Sequence, residues 1–180
     1  TSLSDLAAAV GSNPLEVEVF IHGALCVSHS GQCLFSSVVG GRSGNRGECA
    51  QPCRLPFRTD KGRSDYPLSL KDLSLARHVP DLIDAGLSSL KIEGRMKSPE
   101  YVHGVVKIYR RLLDERRSAT AAENAELAEI FSRDGFTTGY FDKKINASML
   151  GTRSEDARQK SRELTPFEKI TRRLPVQIRA

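Results

Sequence analysis

All four cysteines of this chain fall in one stretch, ALCVSHSGQCLFSSVVGGRSGNRGECAQPCR, which covers residues 24–54 and carries Cys26, Cys33, Cys49 and Cys53. Four thiols in so short a span must pair with one another, bind a metal, or include a reactive group. Disulfide frameworks suit small secreted domains that lack a core. This chain has 180 residues, 39% of them hydrophobic, which is enough for a core. It shows no basic-then-apolar leader and no apolar run near the ~20 residues that span a bilayer. We read it as soluble and cytoplasmic, not associated with a membrane, and metal binding as the better use of the thiols.

The spacing is C-x6-C-x15-C-x3-C. Zinc ribbons favour C-x2-C pairs, whose tight turn presents two sulfurs to one tetrahedral ion, and neither pair here has that spacing. Iron–sulfur clusters take one thiolate per iron and accept more varied spacing. Spacing alone leaves zinc and cluster both open. The same stretch carries Gly40, Gly41, Gly44 and Gly47 with Arg42, Arg46 and Arg54. Glycine lets backbone N–H groups crowd an anion and arginine grips phosphate through two donors, so Arg42, Asn45, Arg46 and Arg54 are candidate substrate or phosphate ligands. The formal charge of +5 agrees with an anionic partner such as RNA.

Hydrophobic periodicity predicts a helix at SLSDLAAAV capped by Ser2 or Ser4, and a strand over 15–22. YPLSL reads as a short second strand, and KDLSLARHVPDLIDAG as a helix broken near Pro80 and ended by Gly86. SSLKIEG, with residues 89–94, is the next strand. A long helix follows over about 99–116, capped by Ser98 and carrying an apolar stripe of Val102, Val105, Val106, Tyr109, Leu112 and Leu113. Thr120 and Glu123 have capping-box spacing and open a helix through Phe131; beyond Gly135 the chain reads as irregular. Strand, helix, strand, helix is the grammar of an α/β fold with a parallel sheet. Too few strands are present to close a barrel, so the chain reads as the C-terminal portion of a TIM-like (β/α) barrel whose N-terminal half is missing. A small open α/β sheet is the rival.

Functional groups gather where parallel strands run out. The first strand ends in His22 and leads to Cys26. In LKIEGR, Leu90 and Ile92 take one face while Lys91, Glu93 and Arg95 take the other, toward the mouth of the barrel. Lys91, Glu93, Arg95 and His22 are therefore the candidate catalytic residues.

EVFIHGALCVSHSGQC, with Glu18, Phe20, Gly23, Ala24, Leu25, Cys26, Gly31, Cys33 and Ser36 in place, resembles the diagnostic pattern of the collagenase-like peptidase family U-32. GNRGECAQPCR and SLKIEGRMKSPEYV resemble two further blocks of that family; Phe35 stands where an aliphatic residue is usual. The tail resembles the longer members, an RNA-hydroxylase branch. The resemblance implies a TIM-like barrel and a [4Fe–4S] cluster held by Cys26, Cys33, Cys49 and Cys53. It also implies oxygen-independent 5-hydroxylation of a pyrimidine in rRNA or tRNA, with prephenate as co-substrate. Residues 1–118 would be the barrel portion with its Cys-rich loop at 24–54, and 119–180 a short helix and linker toward a further domain. A metal-dependent peptidase and a zinc-stabilised RNA-binding module are the alternatives. The sequence lacks H-E-x-x-H and G-x-S-x-G, and a single Cys–His pair would leave three neighbouring thiols unexplained.

Overall fold

A computed structural model describes residues 2–12, 16–29, 31–58, 60, 62, 64–95, 97–156 and 159. Helix α1 (Leu3–Ser12) is capped by Ser2, whose hydroxyl accepts from Asp5 N while Asp5 Oδ2 accepts from Ser2 N at 3.0 Å. Strand β1 (Glu18–Ala24) enters the sheet. The cysteine stretch follows, with a short helix α2 (Phe35–Gly40), and then a hairpin of β2 (Phe57–Arg58) and β3 (Ser64–Asp65). Next come β4 (Asp72–Ser74), α3 (Val79–Asp84), β5 (Ser89–Ile92), the long α4 (Pro99–Asp114), α5 (Ala121–Ile130) and β6 (Phe136–Thr137).

The main sheet has the order β5-β1-β4-β6. Strands β1 and β5 are parallel, as the periodicity predicts. Strand β4 departs from expectation. The segment expected to begin a helix is instead a short strand, fully buried and antiparallel to β1, with His22 opposite Ser74 and Ala24 opposite Asp72. The reason is tertiary: the backbone of Asp72–Ser74 pairs with residues 22–24 of β1, and a three-residue strand buried throughout has no period of its own to set against the helical reading of the longer segment. Pro80 sits in the first turn of α3, where its missing N–H costs nothing, so it starts this helix and does not break a longer one. Within YPLSL, only Leu70 forms a bridge, to Leu150. The sheet is therefore mixed.

The core lies between one face of this sheet and the helices. Leu73 of β4 and Leu75 just after it, with Val19, Leu90 and Ile92 partly buried, meet Tyr101, Val105, Ile108, Tyr109 and Leu112 of α4. Those α4 positions follow the i, i+4, i+7, i+8, i+11 period. The stripe is thus rotated by one residue from the expected one: Val105, Tyr109 and Leu112 are in it, while Val102 and Val106 face outward. Ser98 caps α4 by accepting from Tyr101 N at 3.3 Å. The capping box at α5 forms as read, with Glu123 also gripped by Arg111 at 2.6 Å and Arg117 at 2.8 Å.

Residues 119–151 are not a linker but part of the same core and sheet. Leu127 is fully buried, β6 pairs in parallel with β4, and Gly151 N donates to Ser69 O at 2.9 Å. Short strands and isolated bridges carry little periodicity, which is why this segment reads as irregular in sequence. Residues 160–180, which complete the expected linker, lie outside the described residues. No helix among the described residues is long and apolar enough to cross a membrane.

Candidate functional site

The topology determines which groups meet. Strands β1 and β5 end at the same edge of the sheet. Because β4 is antiparallel to β1 and β6 is parallel to β4, both of these strands begin there. One edge thus receives the cysteine stretch after Ala24, residues 93–95 after Ile92, Lys97 and Ser98 before α4, Asp72 at the start of β4, and Arg133 before β6.

The cysteine stretch is pinned to this edge by named bonds. Arg54 donates to Leu25 O at 2.6 Å, to Leu70 O and, at 3.4 Å, to Ser69 Oγ. Asn45 Nδ2 donates to Gly31 O at 3.1 Å, and Ala50 N to the buried Ser36 hydroxyl at 2.9 Å. Tyr140 Oη reaches Cys26 O at 3.4 Å. Two of the expected anion ligands therefore spend their donors within the protein, Asn45 on Gly31 O and Arg54 on Leu25 O, Leu70 O and the Ser69 hydroxyl; Arg46 is exposed, in the short 3-10 turn Gly44–Arg46. Burial lowers the Arg54 guanidinium pKa and Arg133 adds to this, yet three acceptors hold its charge in place.

All four thiols are free; Cys26 is exposed and Cys33, Cys49 and Cys53 are half-buried. They share one neighbourhood. Burial raises the Cys53 thiol, Arg54 partly offsets it, and Cys26, Cys49 and Cys33 each push it further up. Gln51 N donates to Cys49 Sγ at 3.3 Å. As placed, no three His, Cys, Asp or Glu side chains among the described residues are gathered closely enough to hold a metal ion. The donor set, four reduced thiols beside a fixed arginine, has the chemistry a thiolate-ligated cluster requires.

The catalytic candidates separate. Between Phe20 and His22 the β1–β5 register shifts, so Phe20 faces Lys91 but His22 faces Ile92. This bulge carries one extra residue, Ile21, and turns His22 to the helix side of the sheet. There it is buried, edge-on to Tyr109 and Phe136. Tyr109 Oη donates its single hydrogen to Ile21 O at 3.0 Å, so the 3.3 Å contact with His22 Nδ1 is an Nδ1–H donating to the phenol oxygen. Nε2 is then a lone pair with no partner among the described residues. Burial, reinforced by the charge of Lys97, pushes the imidazole down to about 3. His22 is a neutral core residue, distinct from the charged residues expected beside it. Lys91 lies on the bare face of the sheet, paired with Glu18 at 2.6 Å and over the Phe20 ring, and not with Glu93. Glu93 accepts instead from Arg95, from N at 2.8 Å and Nε at 3.3 Å.

Between the cysteine stretch and the start of α4 lies a cavity of about 460 Å³. Cys49, Gln51 and Tyr101 are in its wall, with Arg42 and Arg95 from the expected set. Lys97, Arg133 and Arg153 join them; Lys97 stands within the SLKIEGRMKSPEYV block, a signal that could have singled it out, whereas Arg133 and Arg153 are brought to the cavity by tertiary structure. Asp72, fully buried, fixes Arg133 through Nη1 at 2.6 Å and backbone N at 3.0 Å. Lys97 Nζ lies over the Phe131 ring at 2.8 Å from its centre, and the guanidinium carbons of Arg133 and Arg153 lie at 5.2 and 4.4 Å. Burial, then Arg133, pull Lys97 down to about 7; Asp72 opposes this, while Arg153 and Arg54 add to it.

The chain is thus an α/β protein with a mixed sheet that carries free thiols and a cation-lined cavity at one edge. The chain belongs to peptidase family U32, whose profile matches residues 1–150. It is 42% identical over 159 residues to the 23S rRNA 5-hydroxycytidine C2501 synthase of Escherichia coli (strain K12), covering 81% of this chain and 24% of that protein. It is 44% identical over 112 residues to the tRNA hydroxylation protein P1 of Bacillus subtilis (strain 168), covering 56% of this chain and 26% of that protein. A collagenase of Porphyromonas gingivalis (strain ATCC BAA-308 / W83) is 37% identical over 143 residues, 72% of this chain and 34% of that protein. The chain thus spans about a quarter of the length of the first two relatives. No solved structure matches it.

Proposed function

We propose that this protein is an RNA-modifying enzyme that hydroxylates a pyrimidine base in rRNA or tRNA, with prephenate as co-substrate. One observation supports it most: the cysteine stretch leaves the sheet at the edge where ligands bind in α/β proteins, with three of its reduced thiols in electrostatic reach of Cys53 and Cys49 in the wall of a cavity lined by cations. The two relatives named for RNA hydroxylation agree with this reading. Cys26, Cys33, Cys49 and Cys53 would hold a [4Fe–4S] cluster, which when bound supplies one-electron redox chemistry. The chain's own residues do the rest. Arg54 ties the stretch to Leu25 and Leu70 and so sets where Cys26 and Cys53 stand. Glu93 orients Arg95 toward the cavity that Cys49 also lines.

A cysteine peptidase would need a histidine base beside its thiol. His22, near Cys26 in sequence, is instead a neutral group on the helix side of the sheet. The test is made on the full-length protein purified without oxygen. We expect iron bound to the chain, and loss of one oxygen mass from a pyrimidine nucleoside in the RNA of a deletion strain. Glu93→Gln and Arg95→Ala should fail to restore that nucleoside while keeping wild-type iron. Zinc in place of iron with unchanged RNA, or peptide release from collagen, would refute the reading.

A further inference from the structure

Between Cys49 and Cys53 the backbone takes a costly conformation. Gln51 lies at φ 58° and ψ 47°, the left-handed region, where any Cβ is crowded and glycine is the usual residue. Four non-glycine side chains among the described residues take positive φ, and Gln51 is the one that lines the cavity beside the thiols. Its surroundings hold it there. Ala50 N, just before it, donates to the buried Ser36 hydroxyl at 2.9 Å. Gln51 O accepts from Arg54 N at 2.9 Å and so opens the 3-10 turn Pro52–Arg54, which carries Cys53. The side-chain Oε1 accepts from Arg133 Nη2 at 3.4 Å, and buried Asp72 fixes Arg133 in turn at 2.6 Å. With the backbone so held, Gln51 N donates to Cys49 Sγ at 3.3 Å. Local strain that the surroundings enforce clusters at functional sites.

We propose that Gln51 is a positioning residue: its left-handed backbone aims an amide N–H at the sulfur of Cys49 and thereby sets the electron affinity of the group that this thiolate holds. The aim of the N–H rests on geometry alone, and its effect on electron affinity rests on the iron–sulfur reading. A hydrogen bond to a ligand sulfur draws negative charge from it. It therefore stabilises a cluster more after an electron is added than before, and raises the reduction potential. The contacts also explain why a glutamine stands here. Glycine would adopt the conformation freely but offer Arg133 no acceptor. A β-branched residue would be driven out of the left-handed region and take the N–H with it. A carboxylate would add a negative charge beside the thiolates and oppose reduction. The neutral amide is held by Arg133 without that charge, and through Arg133 it ties the thiol stretch to β4 and β6.

Two variants of the full-length protein, purified without oxygen, separate backbone from side chain. Gln51→Gly keeps the left-handed conformation and the N–H, whereas Gln51→Val disfavours that conformation. The first measurement is made on metal-free protein: deuterium exchange of the amide at position 51, read by single-residue fragmentation. It should be slow in wild type and in Gln51→Gly, and about tenfold faster in Gln51→Val, the factor that one lost hydrogen bond carries. The second is made on iron-loaded protein: a reductive titration with dithionite, followed by electron paramagnetic resonance. Gln51→Val should lower the one-electron reduction equilibrium about tenfold, a fall of about 59 mV, with Gln51→Gly changed less than about twofold. Equal shifts in both variants would assign the effect to the lost side chain and overturn the proposal. So would a Gln51→Val protein that melts earlier but keeps its wild-type potential, which is a structural role only. A protein that shows the exchange difference but binds no iron would sink the iron–sulfur reading and leave the aim of the N–H standing.

Discussion

The buried imidazole of His22 makes stability depend on pH in a calculable way. Its pKa falls from an ordinary 6.5 to about 3 on folding, because the charged form would have to sit against Tyr109 and Phe136 without water. Between these values the unfolded chain binds a proton that the folded chain refuses. Stability from this group is therefore fully present above the unfolded pKa and lost as pH falls toward the folded one. At about 1.4 kcal/mol per unit, lowering the pH from about 7.5 to about 4.5 should cost roughly 3 kcal/mol from His22 alone. The carboxylates of Asp5 and Glu123 are held below their usual range and contribute in the same direction at lower pH. A comparison isolates the histidine: urea unfolding of wild type and His22→Phe at each pH. The phenyl ring keeps the aromatic contacts and leaves Tyr109 its bond to Ile21 O. We expect the variant to be less stable at neutral pH, yet to lose about 3 kcal/mol less on acidification. Parallel curves for the two proteins, or an imidazole that titrates near 6.5 by NMR, would refute the core placement of His22.

Three further outcomes are expected. Gly23→Ala should destabilise by about 3 kcal/mol or more, read as a fall in thermal midpoint, since Gly23 has φ 109° and a Cβ would lie 2.6 Å from Glu93 O. Arg54→Lys keeps the charge but loses the fork to Leu25 O and Leu70 O; limited proteolysis should then cut residues 26–53 faster, with wild-type rates refuting the staple. Glu123→Gln weakens the capping box and the grip of Arg111 and Arg117, and should cost about 1–2 kcal/mol in urea unfolding, with no loss of bound metal.

Much of the architecture is legible along the chain because local periodicity and capping chemistry carry it. Strands β1 and β5, their parallel pairing, helix α4 with Ser98 and the capping box of α5 all follow from side-chain spacing that needs no distant partner. The clustering of the four cysteines is likewise a property of the sequence. The tertiary structure alone decided the rest. A single extra residue in β1 turns His22 from the charged face to the core, and no alternation pattern announces a bulge. Three residues of antiparallel β4 are too few to show a period of their own, yet they bring Asp72 to the edge where Cys26 begins its stretch. Arg133, 61 residues beyond its partner Asp72, joins them through β6, and Lys97 through the end of β5. A cavity lined by loop residues is set by the direction in which strands enter a sheet, which is a long-range pairing energy and leaves no local mark on the chain.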